Sequence, residues 1–229
     1  MPAASFDGTF AEYMIVAARN LNPIPDGVSD EDVVPIMCAE VTAFKALKLI
    51  TPYVSPGDWV AIIGAGGGVG AMCIQYARSM GYQMIAIDTG KDRGEYCRFL
   101  GATFFVDFNS EPDVGNTICE MTGGLKARAV IVAAGSFEAY ETGIGALGPF
   151  GTLVCVWVPS PGVTARFSPR ECIWQGHRII GSAVGTRNDV REAVDYVLRG
   201  LVKPQTRKAT LHDLNEIAQN AYSGLGHGK

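Results

Sequence analysis

Trp59-Val-Ala-Ile-Ile-Gly64-Ala65-Gly66-Gly67-Gly68-Val69-Gly70 decides how this chain is read, together with the next apolar run, Met84-Ile-Ala-Ile-Asp88. Five strand-forming residues enter a glycine turn, and a helical pattern leaves it over residues 71–80. Glycines at such a turn let backbone N–H groups approach a pyrophosphate closely, and the helix N-terminus behind them carries partial positive charge. Asp88 falls eighteen residues past Gly70, where a strand-terminal carboxylate can accept both hydroxyls of a ribose. The turn departs from the strict G-x-G-x-x-G, since its nearest register is Ala65-x-Gly67-x-x-Gly70. Strand, turn, helix and acid still stand in the order a dinucleotide site needs. Gly64, Gly66, Gly67, Gly68, Val69, Gly70 and Asp88 are its expected binding residues. An acid at 88 favours NAD over NADP, because it repels a 2′-phosphate.

On both sides of that turn the pattern alternates. Apolar, β-branched runs at 59–63, 83–88, 103–106, 129–133, 151–156 and 178–181 are separated by helical segments at 68–80, 91–100, 113–122, 137–147 and 169–175. Short strands divided by helices of this length imply right-handed βαβ units and a buried parallel sheet. The expected fold is α/β, a doubly wound six-stranded parallel sheet of the Rossmann type over residues 58–185. Residues 1–57 add a short extended run at 10–16, a Pro-rich connector at 21–25 and a helix over 29–49 that opens with Asp30, Glu31 and Asp32. Carboxylates in a first turn favour the helix dipole. Residues 186–229 add amphipathic helices at 186–200 and 211–222 and a tail at 223–229 with no packing pattern.

Composition narrows the function classes. A chain of 229 residues with 48% hydrophobic and 18% charged residues can bury a sizeable core. Its net charge of −4 argues against a nucleic-acid partner, which needs a basic face to displace counterions. No apolar run approaches a membrane span, and Met1-Pro-Ala-Ala-Ser-Phe-Asp7 lacks the regions of a signal peptide. Cysteines 38, 73, 97, 119, 155 and 172 show no C-x-x-C spacing and are expected as reduced, mainly buried thiols in the cytoplasm. His177, His212 and His227 have no second ligand at helix spacing, so no metal is expected. The lack of a G-x-S-x-G elbow leaves a hydrolase without support.

Further pieces point to a family: Gly8-Thr-Phe-Ala-Glu-Tyr13, Cys38-Ala-Glu-Val-Thr-Ala-Phe-Lys-Ala-Leu-Lys48, the stretch from Gly57 to Gly70, Gln75-Tyr-Ala-Arg-Ser-Met-Gly81, Arg191-Glu-Ala-Val-Asp-Tyr196 and Gly200-Leu-Val-Lys203. In these the chain resembles the coenzyme-binding part of the zinc-type medium-chain alcohol dehydrogenases, most of all their fungal tetrameric branch. The resemblance implies NAD as cofactor and a small alcohol or carbonyl compound as substrate. It places Lys91 near the adenosine ribose, and the backbones of Ala133, Ala134, Val156 and Val158 beside the nicotinamide. Trp157 is bulky there, and either lines a substrate pocket or obstructs the ring. Arg93 reads as a solvated helix-start charge, with tolerance of a 2′-phosphate as the alternative. The edge strand at 178–184, apolar on both faces, is the family's dimer seam, so a homodimer is expected, with an edge covered by the 186–200 helix as the alternative.

The departures concern chemistry. Most of the family's N-terminal catalytic domain, which carries a cysteine and a histidine for the catalytic zinc, the proton relay and a structural zinc lobe, has no counterpart here. Cys38 stands at the position of the third zinc ligand without partners, and a catalytic zinc needs three. No zinc is expected, and Cys38 reads as a small buried hydrophobe on a helix. Glu40 stands where the family has a small residue, as a solvated helix face or as an acid/base group facing the cleft. The family's C-terminal arginine, which contacts the pyrophosphate, is not found in Gly226-His-Gly-Lys229. Losing one charge-assisted hydrogen bond costs about 1.5–3 kcal/mol, or roughly ten- to a hundredfold in affinity. The expected function is a zinc-independent oxidoreductase that binds NAD(H). The alternatives are a non-redox enzyme (isomerase, cyclase or lyase) using Glu40 or Cys38, and a non-catalytic dimeric binding module.

Overall fold

The computed structural model describes residues 12–159, 161–162 and 164–222. In chain order its elements begin with α1 (Asp30–Val33), α2 (Ala39–Ile50), β1 (Trp59–Ile63), α3 (Gly68–Ser79), β2 (Gln83–Asp88), α4 (Lys91–Leu100) and β3 (Phe104–Asp107). There follow α5 (Val114–Met121), β4 (Ala127–Val132), α6 (Glu138–Gly145), β5 (Leu147–Cys155), α7 (Pro169–Gln175), β6 (Arg178–Gly181), α8 (Arg187–Leu198) and α9 (Leu214–Tyr222). The six strands form one parallel sheet in the order β3-β2-β1-β4-β5-β6. The α/β doubly wound architecture expected from the sequence is the one observed. Between β1 and β4 the strand order reverses, and a crevice opens at the carboxyl ends of the strands where such sheets bind ligands.

Both faces of the sheet's centre are covered, which is why β1 and the middles of β2, β4 and β5 are apolar, whereas the edge strand β6 alternates half-buried and exposed residues. Val60, Ile62, Met84, Ile131 and Val154 point to one side, where Phe44 and Leu47 of α2, Ile74 and Tyr76 of α3, and Ala193 and Val194 of α8 join them in a single cluster. Ala61, Ile63, Ile85, Ile87, Val130 and Leu153 point to the other side, under Ile118 of α5 and Tyr140 of α6. Helix α8 starts at a capping box, in which the Thr186 hydroxyl and the Asp189 carboxylate satisfy each other's backbone N–H. Asp189 is buried and also receives Lys48 of α2 at 3.0 Å, which ties the two helices together.

Several expectations need correction. The helix expected over 29–49 is broken into α1, a 3-10 turn (Val34–Met37) and α2, with Cys38 at φ −135° and ψ −75° between them. Pro35 is the cause, since it offers no N–H and its ring crowds the carbonyl four residues back. The extended run expected at 10–16 pairs with no strand over residues 12–16, and residues 10 and 11 lie outside the described ones. Strand β5 starts at Leu147, not 151, because the register shifts from Ala127↔Leu147 to Ala129↔Thr152 and the extra residues bulge around Phe150, which has φ +57°. A 3-10 turn (Leu211–Asp213) precedes α9. Among the described residues no helix is long and apolar enough to cross a membrane.

Candidate functional site

The glycine turn is fastened to its neighbours by its own backbone. Gly64 (φ +79°) and Ala65 both donate N–H to the Ile87 carbonyl, at 2.9 and 3.2 Å. A Cβ on Gly70 would sit 2.1 Å from the Gly64 carbonyl oxygen and 2.6 Å from Ala65 Cα, so glycine alone lets α3 start this close to the turn. The first helical bond runs from Ala71 N–H to the Gly67 carbonyl at 2.8 Å. The N–H groups of Gly68, Val69 and Gly70 therefore have no partner among the described residues and point off the helix N-terminus.

Asp88 is buried and organises the ground beside the turn. Its Oδ2 accepts from Gly66 N–H at 2.7 Å, and its Oδ1 accepts from Thr89 N–H at 2.8 Å and from an Arg93 guanidinium nitrogen at 2.7 Å. The Arg93 stem lies against Gly66, where a Cβ would meet it at 3.1 Å. Arg93 is thus paired and only 27% exposed, which corrects its reading as a solvated charge. Lys91 is exposed and pairs along its own helix with Glu95 at 3.7 Å. Nothing in the residue types distinguished the two cations. The third position of the first helical turn faces back toward the strand end, and that is where Arg93 stands.

Around these groups lies a cavity of about 350 Å³, lined by Gly64, Asp88, Thr89, Arg93, Phe108 and the 133–136 turn. Through Gly67 and Ala133 it borders a second cavity of about 750 Å³, which Cys38, Val69, Met72, Tyr96, Trp157 and Arg207 help to line. Ala133 donates to the Ile63 carbonyl at 2.9 Å, so the end of β4 is held against the end of β1. Ala134 crowds Gly64, whose added Cβ would be 2.9 Å from its nitrogen. Val156 is buried and Val158 exposed; both line a third cavity of about 480 Å³ with Trp157 and Ser182.

Cys38 and Glu40 depart from their readings. Cys38 is exposed in the break before α2 and borders the 750 Å³ cavity, because Pro35 interrupts the helix that would have buried it. Glu40 is neither solvated nor facing the cleft. It has no exposed surface, its Oε2 lies 3.3 Å from the Tyr76 hydroxyl, and its Oε1 has no partner among the described residues. The same hydroxyl lies 3.3 Å from the Ala193 carbonyl, so α2, α3 and α8 meet at this point. Burial pushes the Glu40 carboxyl up to about 8, against a smaller lowering by the Tyr76 hydroxyl, so it is protonated at neutral pH. Among the described residues no three His, Cys, Asp or Glu side chains stand close enough to hold a metal ion, and Cys38 alone does not fit a zinc. His177 and His212 lie outside the three cavities described above, and His227 is outside the described residues.

A parallel sheet in this order, with a glycine turn at the reversal and an acid closing β2, defines a Rossmann-type protein of the dehydrogenase kind. The chain belongs to the zinc-binding dehydrogenase family, whose model matches residues 68–199. It is 38% identical over 212 residues to alcohol dehydrogenase 1 of Neurospora crassa and 40% identical over 214 residues to an alcohol dehydrogenase of Schizosaccharomyces pombe. Each match covers 92% of this chain and 59% of the relative, so the chain spans about three fifths of the length of these curated relatives. The crystal structure of the alcohol dehydrogenase of Aeropyrum pernix superposes with a TM-score of 0.88 at 28% identity, covering 97% of this chain and 64% of that one.

Proposed function

We propose that this chain is an alcohol-dehydrogenase-like oxidoreductase that binds NAD(H) and acts on a small alcohol or carbonyl compound without zinc. The observation that carries the reading is the juxtaposition of three N–H groups at the start of α3 that have no partner among the described residues, with Gly68 and Val69 on the wall of the 750 Å³ cavity, and the buried Asp88 carboxylate on the wall of the adjoining 350 Å³ cavity. The N–H groups of Gly68, Val69 and Gly70 hold the pyrophosphate, and Asp88 receives the ribose. Three of the carboxylate's roughly four acceptor sites are taken by Gly66, Thr89 and Arg93. A ribose hydroxyl therefore takes the remaining site or displaces Arg93. Asp88 opposes a 2′-phosphate, so NAD is preferred over NADP. The nicotinamide, when bound, supplies the hydride chemistry. Membership of the family and 38–40% identity to fungal alcohol dehydrogenases support the reaction class. Zinc independence rests on the donor set, since Cys38 lacks described partners.

Fluorescence titration with NADH and NADPH tests the cofactor. NADH is expected to bind more tightly than NADPH, and Asp88→Ala to weaken NADH by about ten- to a hundredfold. No binding of either at about millimolar concentration, a level worth only about 4 kcal/mol, refutes the reading. Metal analysis tests the zinc: a stoichiometric metal would overturn its exclusion.

We also propose a homodimer through the β6 edge. Helix α8 packs on α2, while Ile179 on the edge strand is 45% exposed and Trp174 of α7 is 82% exposed. Ile179→Lys should convert the dimer to a monomer in sedimentation, and an unchanged mass would exclude this seam. Six free thiols suit a reducing compartment, and this supports a cytoplasmic setting as part of the proposal.

A further inference from the structure

A doubly wound sheet offers one mononucleotide site in each half, and the two halves end differently here. The half made by β1, β2 and β3 ends in the 350 Å³ cavity beside Asp88 and Arg93. In the other half, Trp157 stands where β5 ends. It lines both the 750 Å³ cavity on the side of Cys38 and Val69 and the 480 Å³ cavity on the side of Val158 and Ser182. Among the described lining residues it is the member these two cavities share. Its placement is anchored at the backbone, where its N–H donates to the Val132 carbonyl at 3.2 Å and its carbonyl accepts the Tyr140 hydroxyl. The indole lies against Gly135, whose added Cβ would touch ring atoms Cε2 and Cζ2 at 3.5 Å. Gly135 belongs to the turn that also backs the first cavity, so the ring reaches to the boundary between the halves.

We infer that Trp157 is a specificity-determining wall, which leaves the adenosine diphosphate and distal ribose of a ligand unhindered and obliges the base of the second mononucleotide to displace the indole. The inference rests on the dinucleotide reading above and adds a ligand preference to it. A ligand that needs a minor conformer binds with its intrinsic affinity reduced by the fraction of protein in that conformer. That penalty falls on NAD(H). It does not fall on ADP-ribose, which ends at the distal ribose and carries no base to seat beyond it. The far side offers something to gain: the buried Ser182 hydroxyl on the 480 Å³ cavity has no partner among the described residues.

The test is calorimetric titration of ADP-ribose and NADH against the full chain and against Trp157→Gly and Trp157→Phe. The unsubstituted chain should bind ADP-ribose at least as tightly as NADH. Trp157→Gly should tighten NADH by about tenfold or more while ADP-ribose stays within about twofold, and Trp157→Phe should fall between. Should the glycine variant lose its far-ultraviolet dichroism, the phenylalanine variant carries the test. An NADH to ADP-ribose ratio that is equal in all folded forms overturns the role of Trp157 and leaves the cofactor reading standing. Failure of both probes to bind the unsubstituted chain refutes the cofactor reading itself, and this inference with it.

Discussion

Where β1, β2 and β3 end, the buried carboxylate and the entry to the turn are tied within the chain: Asp88 holds Gly66, Thr89 and Arg93, and Gly64 and Ala65 share the Ile87 carbonyl. Along β5 and just past β6, by contrast, Thr152 Oγ1 and Ser182 Oγ are buried with no partner among the described residues. A buried polar group left unpaired costs about 1–3 kcal/mol. The carboxylate of the first half is therefore largely satisfied within the chain, and what that half leaves open are the Gly68, Val69 and Gly70 N–H groups at the start of α3. In the second half Ser182 and Trp157 line the 480 Å³ cavity, and Ile179 and Trp174 are exposed, on surfaces that a ligand or a second subunit would complete. A chain can thus close its glycine turn from within while the other side of the sheet keeps surfaces open to what is brought to it.

The sharpest way to break this contrast uses two glycines. A Cβ on Gly70 would meet the Gly64 carbonyl oxygen at 2.1 Å, and one on Gly148 in the second half would meet the Leu125 carbonyl oxygen at 2.2 Å. Both obstacles are backbone, so either alanine substitution should cost about 3 kcal/mol or more in denaturant unfolding. Their effects on binding should part. The folded fraction of Gly148→Ala should keep its NADH affinity, and Gly70→Ala should lose it even where it folds. Equal loss of affinity in the two variants would show that the halves are not separable.

Much of this was legible in the residues, and the rest failed for identifiable reasons. Strands β1, β2 and β6 and helices α4 and α7 fall where the apolar runs and their bounding glycines and prolines put them. The start of β5 was hidden because Leu147-Gly-Pro-Phe-Gly151 has the composition of a turn, whereas the chain passes through it as a bulged strand. Pro35 is a helix breaker legible in the sequence, and it sets Cys38 in a break between helices instead of on a buried helical face. The site's decisive pairings were beyond local reading. Glu40 meets Tyr76 only because α2 packs on α3, a contact that spans 36 residues. Arg93 and Lys91 differ only in the direction that one helical turn gives them.

Glu40 lies on the helical layer shared by the two halves, and it predicts a pH dependence of intermediate size. Burial holds its folded carboxyl near 8, whereas the ordinary value is 4.5. Between these values the native state keeps a proton that the unfolded chain has released. Stability must then fall as pH rises through that window, by up to about 1.4 kcal/mol per pH unit, and level off above it. Glu40→Gln keeps the shape and a hydrogen bond with Tyr76 but cannot ionise. Urea midpoints at about pH 5.5, 6.5 and 7.5 should converge for the variant and separate for the parent, and equal slopes in both would remove Glu40 as their source.

The smallest effect gives the finest discrimination. Thr152 on β5 is fully buried with an unpaired hydroxyl, while the buried Thr122, at the end of α5, donates to the Ile118 carbonyl at 2.7 Å and accepts from Lys126 N–H at 2.8 Å. Valine has the same shape as threonine without the hydroxyl. At 122 it should cost about 1–2 kcal/mol, because it orphans the Lys126 N–H. At 152 it removes a group that already bears its desolvation cost, so stability should be unchanged or rise by up to about 1 kcal/mol. A loss at 152 equal to that at 122 would mean that the Thr152 hydroxyl is satisfied in solution. The second half would then be as complete as the first, and the contrast would reduce to Trp157 and the exposed edge.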